Sequence, residues 1–323
     1  MSKKQLVNLA ILLIGGALMA EYLPEPKPQR IVVAATNGNS NNAVDGDIVG
    51  FWKAKIDRML PDKPDLIVLP EAANQKSGVR NGIDPKVREY MVKTARENHC
   101  CIAFPCLRDL GGGRFANSIE LIGRNGETVA VYDKNFTTIP EIKSGRIVGK
   151  KIKPIPTDIG KIVPLICWDL NFYKEMPLCF TERPQLTVFA SRYHGGLIQR
   201  FWAYESRSYF VGAFAFGQCT VINPVGEIVA QTTNYTDTVT AQINLDYQVV
   251  HIGDNNMPKL RKLKAKYGRG VTIFDPGHLG PALVTSELKD ISSKQMIEEF
   301  GISTWDNYYQ RCVEAAESMR DER

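Results

Sequence analysis

The chain has 323 residues, 44% hydrophobic and 23% charged, with 40 Lys+Arg against 35 Asp+Glu for a net charge of +5. That composition suits a globular body of one or two domains with a full core, and excludes a disordered, collagen-like or multi-pass membrane chain. So mild a charge argues against a nucleic-acid partner, and seven Cys without a CxxC pair argue against a disulfide scaffold or zinc module.

Residues 1–23 read as a signal peptide or an uncleaved signal-anchor. Lys3 and Lys4 precede an apolar run over residues 6–20, and a Pro-rich linker, residues 24–29, follows. The run is short for a membrane span, which takes about 20 apolar residues. The expectation is an exported protein, periplasmic or extracellular and of bacterial type, or one tethered to the membrane through residues 6–20.

Residues 30–35 form a β-branched apolar run and predict a buried strand. Ile48, Phe51, Trp52, Ile56, Met59 and Leu60 recur at helical spacing until Pro61. Residues 65–70 predict a second buried strand, with Glu71 at its C-terminal end. A helix is expected over 84–98 and a strand over 100–104. Residues 115–122 and 127–132 flank Gly123-Arg124-Asn125-Gly126, whose Asn-Gly signals a hairpin. Residues 135–161 are polar and basic and read as a loop. Residues 162–167 predict a strand ending in Cys167-Trp168-Asp169, followed by a helix over 171–181. A strand over 186–190 and a helix over 197–208 come next. Strands are then expected over 210–216, 219–222, 227–231 and 238–245. Alternation of this kind is that of mixed sheet covered by helices, an α/β body over residues 30–250. Residues 251–323 read as a mostly helical C-terminal extension. It opens with a basic helix bearing Lys259, Arg261, Lys262, Lys264 and Lys266, and continues with helices over 292–300 and 304–319.

Glu71, Lys134 and Cys167 each end a predicted strand. Strand ends in mixed sheets converge on one rim, where ligands bind. A thiol to attack, a carboxylate to move protons and an ammonium to hold an oxyanion together suit acyl transfer.

Their motifs resemble those of the nitrilase superfamily of carbon–nitrogen hydrolases. Leu69-Pro70-Glu71, Tyr132-Asp133-Lys134 and Ile166-Cys167-Trp168-Asp169 match the family's Pro-Glu, Tyr-x-Lys and Ile-Cys-(Trp/Tyr)-(Asp/Glu) in order and spacing. Ala203-Tyr204-Glu205-Ser206 and the hairpin Asn223-Pro224-Val225-Gly226-Glu227 extend the likeness, which runs over roughly residues 30–245. Three features depart from it: Phe136 replaces a His, Phe172-Tyr173-Lys174-Glu175 replaces Phe-Pro-Glu, and the 197–208 helix lacks an Arg and an Asn. The resemblance implies a four-layer α-β-β-α sandwich with a helical C-terminal arm, and a homo-oligomer, in the family a dimer.

The resemblance also implies that Cys167 forms a thioester, Glu71 acts as general acid and base, and Lys134 stabilises the oxyanion together with the backbone N–H of Trp168. Glu141, the only carboxylate between Lys134 and Asp158, is the candidate for the family's second active-site Glu. Either Lys134 lowers the Cys167 pKa or Glu71 takes the proton during attack; both routes remain open. No metal and no organic cofactor is implied. Cys-Trp-Asp points to a small amide or N-carbamoyl substrate, because nitrilases tend to carry Cys-Trp-Glu. Weighed against this are a true nitrilase and a catalytically silent, membrane-tethered binding protein that keeps the fold. A Cys167–His194 protease pair lacks any local signature, and His99 with Cys100 and Cys101 makes a poor zinc set.

Overall fold

The computed structural model describes residues 30–253 and 256–321; the expected signal-anchor and Pro-rich linker lie outside the described residues. Apolar alternation explains how the strands stack into layers. In β1 (Arg30–Thr36), Ile31, Val33 and Ala35 face one core while Ala34 faces another. β1 pairs in parallel with β2 (Leu66–Val68), and β2 with β3 (Cys101–Asp109). The antiparallel β4 (Phe115–Ile122) and β5 (Thr128–Asp133) extend one edge, and β12 (Thr238–Asn244) closes the other. This gives a six-stranded sheet ordered β12-β1-β2-β3-β4-β5.

A second six-stranded sheet has the order β11-β10-β9-β8-β7-β6. At its centre β7 (Gly160–Ile166), β8 (Leu186–Ser191) and β9 (Tyr209–Phe214) run in parallel. β6 (Ile155–Thr157), β10 (Thr220–Ile222) and β11 (Ile228–Gln231) complete it. The sheets face each other across a core that includes Val33, Leu66, Val68, Ile119, Leu165, Val188 and Val211, all but fully buried. Side chains of this size each stabilise the fold by roughly 1.5–3 kcal/mol when buried. Helices Ile48–Ile56 and Pro85–Asn98 cover the outer face of the first sheet through Trp52, Val87 and Met91. Helix Leu197–Ser206 covers the second through Trp202 and Ala203. The layers are therefore the expected α-β-β-α sandwich.

Three local expectations need correction. The helix expected over 171–181 is instead two 3-10 turns, Cys167–Asn171 and Tyr173–Glu175, followed by the short helix Leu178–Thr181. Pro177 disfavours helical geometry at the residue before it, and Met176 indeed sits at φ −121°, ψ 50°. The stretch read as loop holds β6 and a helical turn, Ile139–Lys143. Beyond residue 250, the helices Met257–Tyr267, Ser293–Glu299 and Trp305–Asp321 are joined by two unforeseen strands, β14 (Val271–Phe274) and β15 (Pro281–Ser286). With β13 (Tyr247–His251) these make a three-stranded antiparallel sheet with its own small core around Val250, Leu263, Val284 and Met296. Among the described residues, no helix is long and apolar enough to cross a membrane.

Candidate active site

Parallel strands deliver their C-terminal ends to one rim, and the chemistry gathers there. Glu71 lies three residues beyond β2, Lys134 directly after β5, Cys167 directly after β7 and Arg192 directly after β8. The first sheet thus supplies the carboxylate and the ammonium, and the second supplies the thiol.

One buried carboxylate ties these halves together. Asp169 accepts hydrogen bonds from the Tyr132 hydroxyl at 2.7 Å, the Phe136 N–H at 2.8 Å and the Ile166 N–H at 3.0 Å. Tyr132 belongs to β5 and Ile166 to β7, so Asp169 fixes Lys134 relative to Cys167. This gives the Tyr132-x-Lys134 and Cys167-x-Asp169 spacings a physical reason: the outer members of the two motifs bond each other across the sheets. Burial pushes the Asp169 carboxyl up to about 6 even though its hydrogen bonds oppose that shift.

Cys167 itself has φ 48°, in the left-handed region. For a residue with a side chain this conformation costs of the order of 1–2 kcal/mol. It turns the chain sharply out of β7 into the 3-10 turn and leaves the side chain half-buried at the rim. Glu71 and Ser191 are the neighbouring polar side chains that, with Lys134, act on the thiol. Burial, and then the Glu71 charge, push it up to about 12 against the opposing pull of Lys134 and Ser191. Burial and the Glu71 charge thus favour the neutral thiol.

Lys134 is 1% exposed and lies 2.8 Å from Glu141 and 3.6 Å from Glu71. Burial works against its charge, but the neighbouring carboxylates hold its pKa above the ordinary lysine value. Asn117, which sequence reasoning missed, links both acids. Its side-chain amide donates to Glu71 Oε1 at 2.8 Å and to Glu141 Oε1 at 3.1 Å, while its backbone carbonyl accepts from the Lys134 N–H. The clue was available: Asn117 shares a strand face with the core residues Ile119 and Leu121, where a polar side chain must find partners.

Glu141 belongs to the cluster, delivered by the turn Ile139–Lys143. Its Oε2 accepts from the Thr138 N–H and hydroxyl, both at 2.9 Å, and from Lys134. Its Oε1 accepts from Asn117 and, at 2.7 Å, from Arg146. Burial favours the neutral acid, but Lys134 and these donors bring the carboxyl down to about 2. So saturated a carboxylate holds Lys134 and Asn117 in place and does not exchange protons near neutrality. Because its ordinary value is 4.5, the stability Glu141 confers is present above about pH 4.5 and lost as pH falls toward 2. Glu141→Gln is expected to flatten the acid limb of thermal stability over that window. A variant as acid-sensitive as the parent would count against this cluster.

The departures from the family pattern also acquire a structural meaning. Phe136 stacks on Phe172 with ring centroids 3.9 Å apart, and the Trp168 ring, 44% exposed, meets Phe172 edge-on. The His-to-Phe change and the altered segment after Cys167 together build an aromatic shelf beside Cys167. Arg192 and Ser191 were also missed, since nothing local in the sequence marks them. The Arg192 N–H donates to Glu71 Oε2 at 3.0 Å.

A thiol, a carboxylate and a buried ammonium meet on the rim of an α-β-β-α sandwich, a set of groups suited to acyl transfer. The carbon-nitrogen hydrolase family profile matches residues 32–249. The chain belongs to that family, within the nitrilase superfamily, and is a carbon–nitrogen hydrolase. It is 22% identical over 214 residues to Omega-amidase NIT2 of Danio rerio, covering 56% of this chain and 77% of the relative. Its fold is similar to that of the Caenorhabditis elegans NitFhit protein, with a TM-score of 0.60 and 17% identity over 85% of this chain and 98% of the other. It is also similar to a Glu-to-Gln mutant of the amidase from Nesterenkonia sp. AN1, seen with the acetamide moiety of fluoroacetamide added covalently at its active-site cysteine. There the TM-score is 0.57, with 15% identity over 69% of this chain and 93% of the other.

Proposed function

We propose that the protein hydrolyses a small amide or N-carbamoyl compound through a Cys167 thioester. The observation that carries this is the convergence of Cys167, Glu71 and the buried Lys134 ammonium on one rim of the sheets, with Lys134 3.6 Å from Glu71. A thiol pushed up to about 12 favours the route in which Glu71 takes the proton as sulfur attacks. The carbonyl carbon gains the C–S bond, and its oxygen becomes an oxyanion opposite Lys134 and the Trp168 N–H. Collapse breaks the C–N bond, and Glu71 returns the proton to the departing nitrogen. Glu71 then takes a proton from water as its oxygen attacks the thioester. The acid leaves, and Cys167 is reprotonated.

The cysteine adduct of the Nesterenkonia amidase supports this chemistry for a cysteine on the same fold. The family resemblance supports a homodimer. The first 23 residues support export or an N-terminal tether. The test is an ammonia-release screen over amides, ureides and nitriles, paired with mass analysis of Cys167 after exposure to fluoroacetamide. Release from at least one amide or ureide, with a Cys167 adduct, is expected. Release from nitriles alone would move the assignment to a nitrilase. No release and no adduct would leave the silent binding protein.

A further inference from the structure

Resting on the hydrolase function proposed above, we infer that Arg192 selects substrates carrying a carboxylate close to the scissile C–N bond. Arg192 is held at the site by its own backbone, whose N–H bonds Glu71 Oε2. Its guanidinium reaches the side-chain oxygen of Gln75, on the turn that follows Glu71. The group therefore spans from the end of β8 to the segment that carries the general base.

Six arginines are half-buried among the described residues. Five of them pair with a carboxylate: Arg108 with Asp133, Arg124 with Asp65 and Asp158, Arg146 with Glu141, Arg200 with Glu227 and Arg207 with Asp306. Arg192 is the exception, since its partner is a neutral amide. A partly desolvated guanidinium with no counter-charge is costly unless an anion completes it, and its planar fork suits a carboxylate.

Two measurements test this. The first compares kcat/KM for succinamate and for its neutral counterpart succinamide in the parent, Arg192→Gln and Arg192→Lys. In Arg192→Gln the anionic-to-neutral ratio is expected to fall at least tenfold, carried by KM, and in Arg192→Lys to recover part of the loss. The second needs no turnover: the rate at which iodoacetate alkylates Cys167, divided by that of iodoacetamide, read by mass spectrometry. That ratio is expected to fall severalfold in Arg192→Gln and, in the parent, on raising ionic strength.

Unchanged ratios in both measurements, even with both substrates slowed equally, would overturn the inference and leave Arg192 as a support for Glu71. If neither amide is hydrolysed by the parent, the alkylation ratio still decides on Arg192, and only the proposed reaction fails. Should Arg192→Gln not fold, the salt dependence of the parent and the Arg192→Lys variant decide.

Discussion

Cys167→Ala is expected to lower ammonia release by about 10⁴-fold or more while leaving the fold in place. Sulfur is the atom that must bond the carbonyl carbon in the proposed route. Of the other six cysteines, Cys100, Cys101, Cys106, Cys179 and Cys219 are buried, and Cys312 lies at the surface on the C-terminal helix. The substitution removes one half-buried atom and keeps the left-handed turn that any residue with a side chain must make there. Stability should therefore change by less than about 1 kcal/mol. The check is turnover on whichever amide the parent hydrolyses, alongside a thermal melt. Undiminished release by a folded variant would sink the mechanism.

Glu71→Gln is nearly isosteric and is expected to cost about 10²–10⁴-fold in kcat, the usual worth of a positioned acid–base group. Its second effect has a distinctive sign. The Glu71 carboxylate is, after burial, the largest influence pushing the Cys167 thiol up, whereas Lys134 pulls it down. Removing the negative charge should let Cys167 ionise at lower pH, seen as a downward shift in the pH profile of iodoacetamide alkylation. Thiol acidity rises while turnover falls. A glutamine also has only one acceptor oxygen for the two donors that Glu71 satisfies, Asn117 and the Arg192 N–H, so some loss of stability accompanies the change. Retained turnover with an unshifted thiol would remove Glu71 from the chemistry.

The parts of the molecule legible from sequence are those with strong local signals. β-branched apolar runs marked β1, β2, β7 and β8, and those strand ends in turn located Glu71 and Cys167. Helix Pro85–Asn98 announced itself through the Asp84 cap and Pro85 at its first turn. Less legible were elements whose conformation is set from outside. The segment after Cys167 carries helical spacing, but Asp169 is pulled inward to bond Tyr132 and Pro177 interrupts the backbone. β14 and β15 are short, flanked by Gly and Pro, and are strands only because β15 pairs with β13 on one side and with β14 on the other. Residues 135–161 do look like a loop; the turn that presents Glu141 exists because its carboxylate caps the turn at Thr138 while pairing with Lys134. Asn117 and Arg192 act through partners 24 to 121 residues distant in sequence, a separation that no local pattern encodes.

Because Glu71 and Lys134 come from one sheet and Cys167 from the other, the distance between thiol and carboxylate depends on the thickness of the hydrophobic layer between the sheets. A displacement of about 1 Å in a reacting group can cost roughly 100-fold in rate. The aliphatic side chains of that layer are therefore gauge blocks for the chemistry, even those far from the rim. Truncating one of them would not need to unfold the protein to silence it: a slight settling of one sheet toward the other would put sulfur and carboxylate out of reach. Catalytic rate then serves as a caliper on the spacing of the two sheets, finer than any measure of secondary structure.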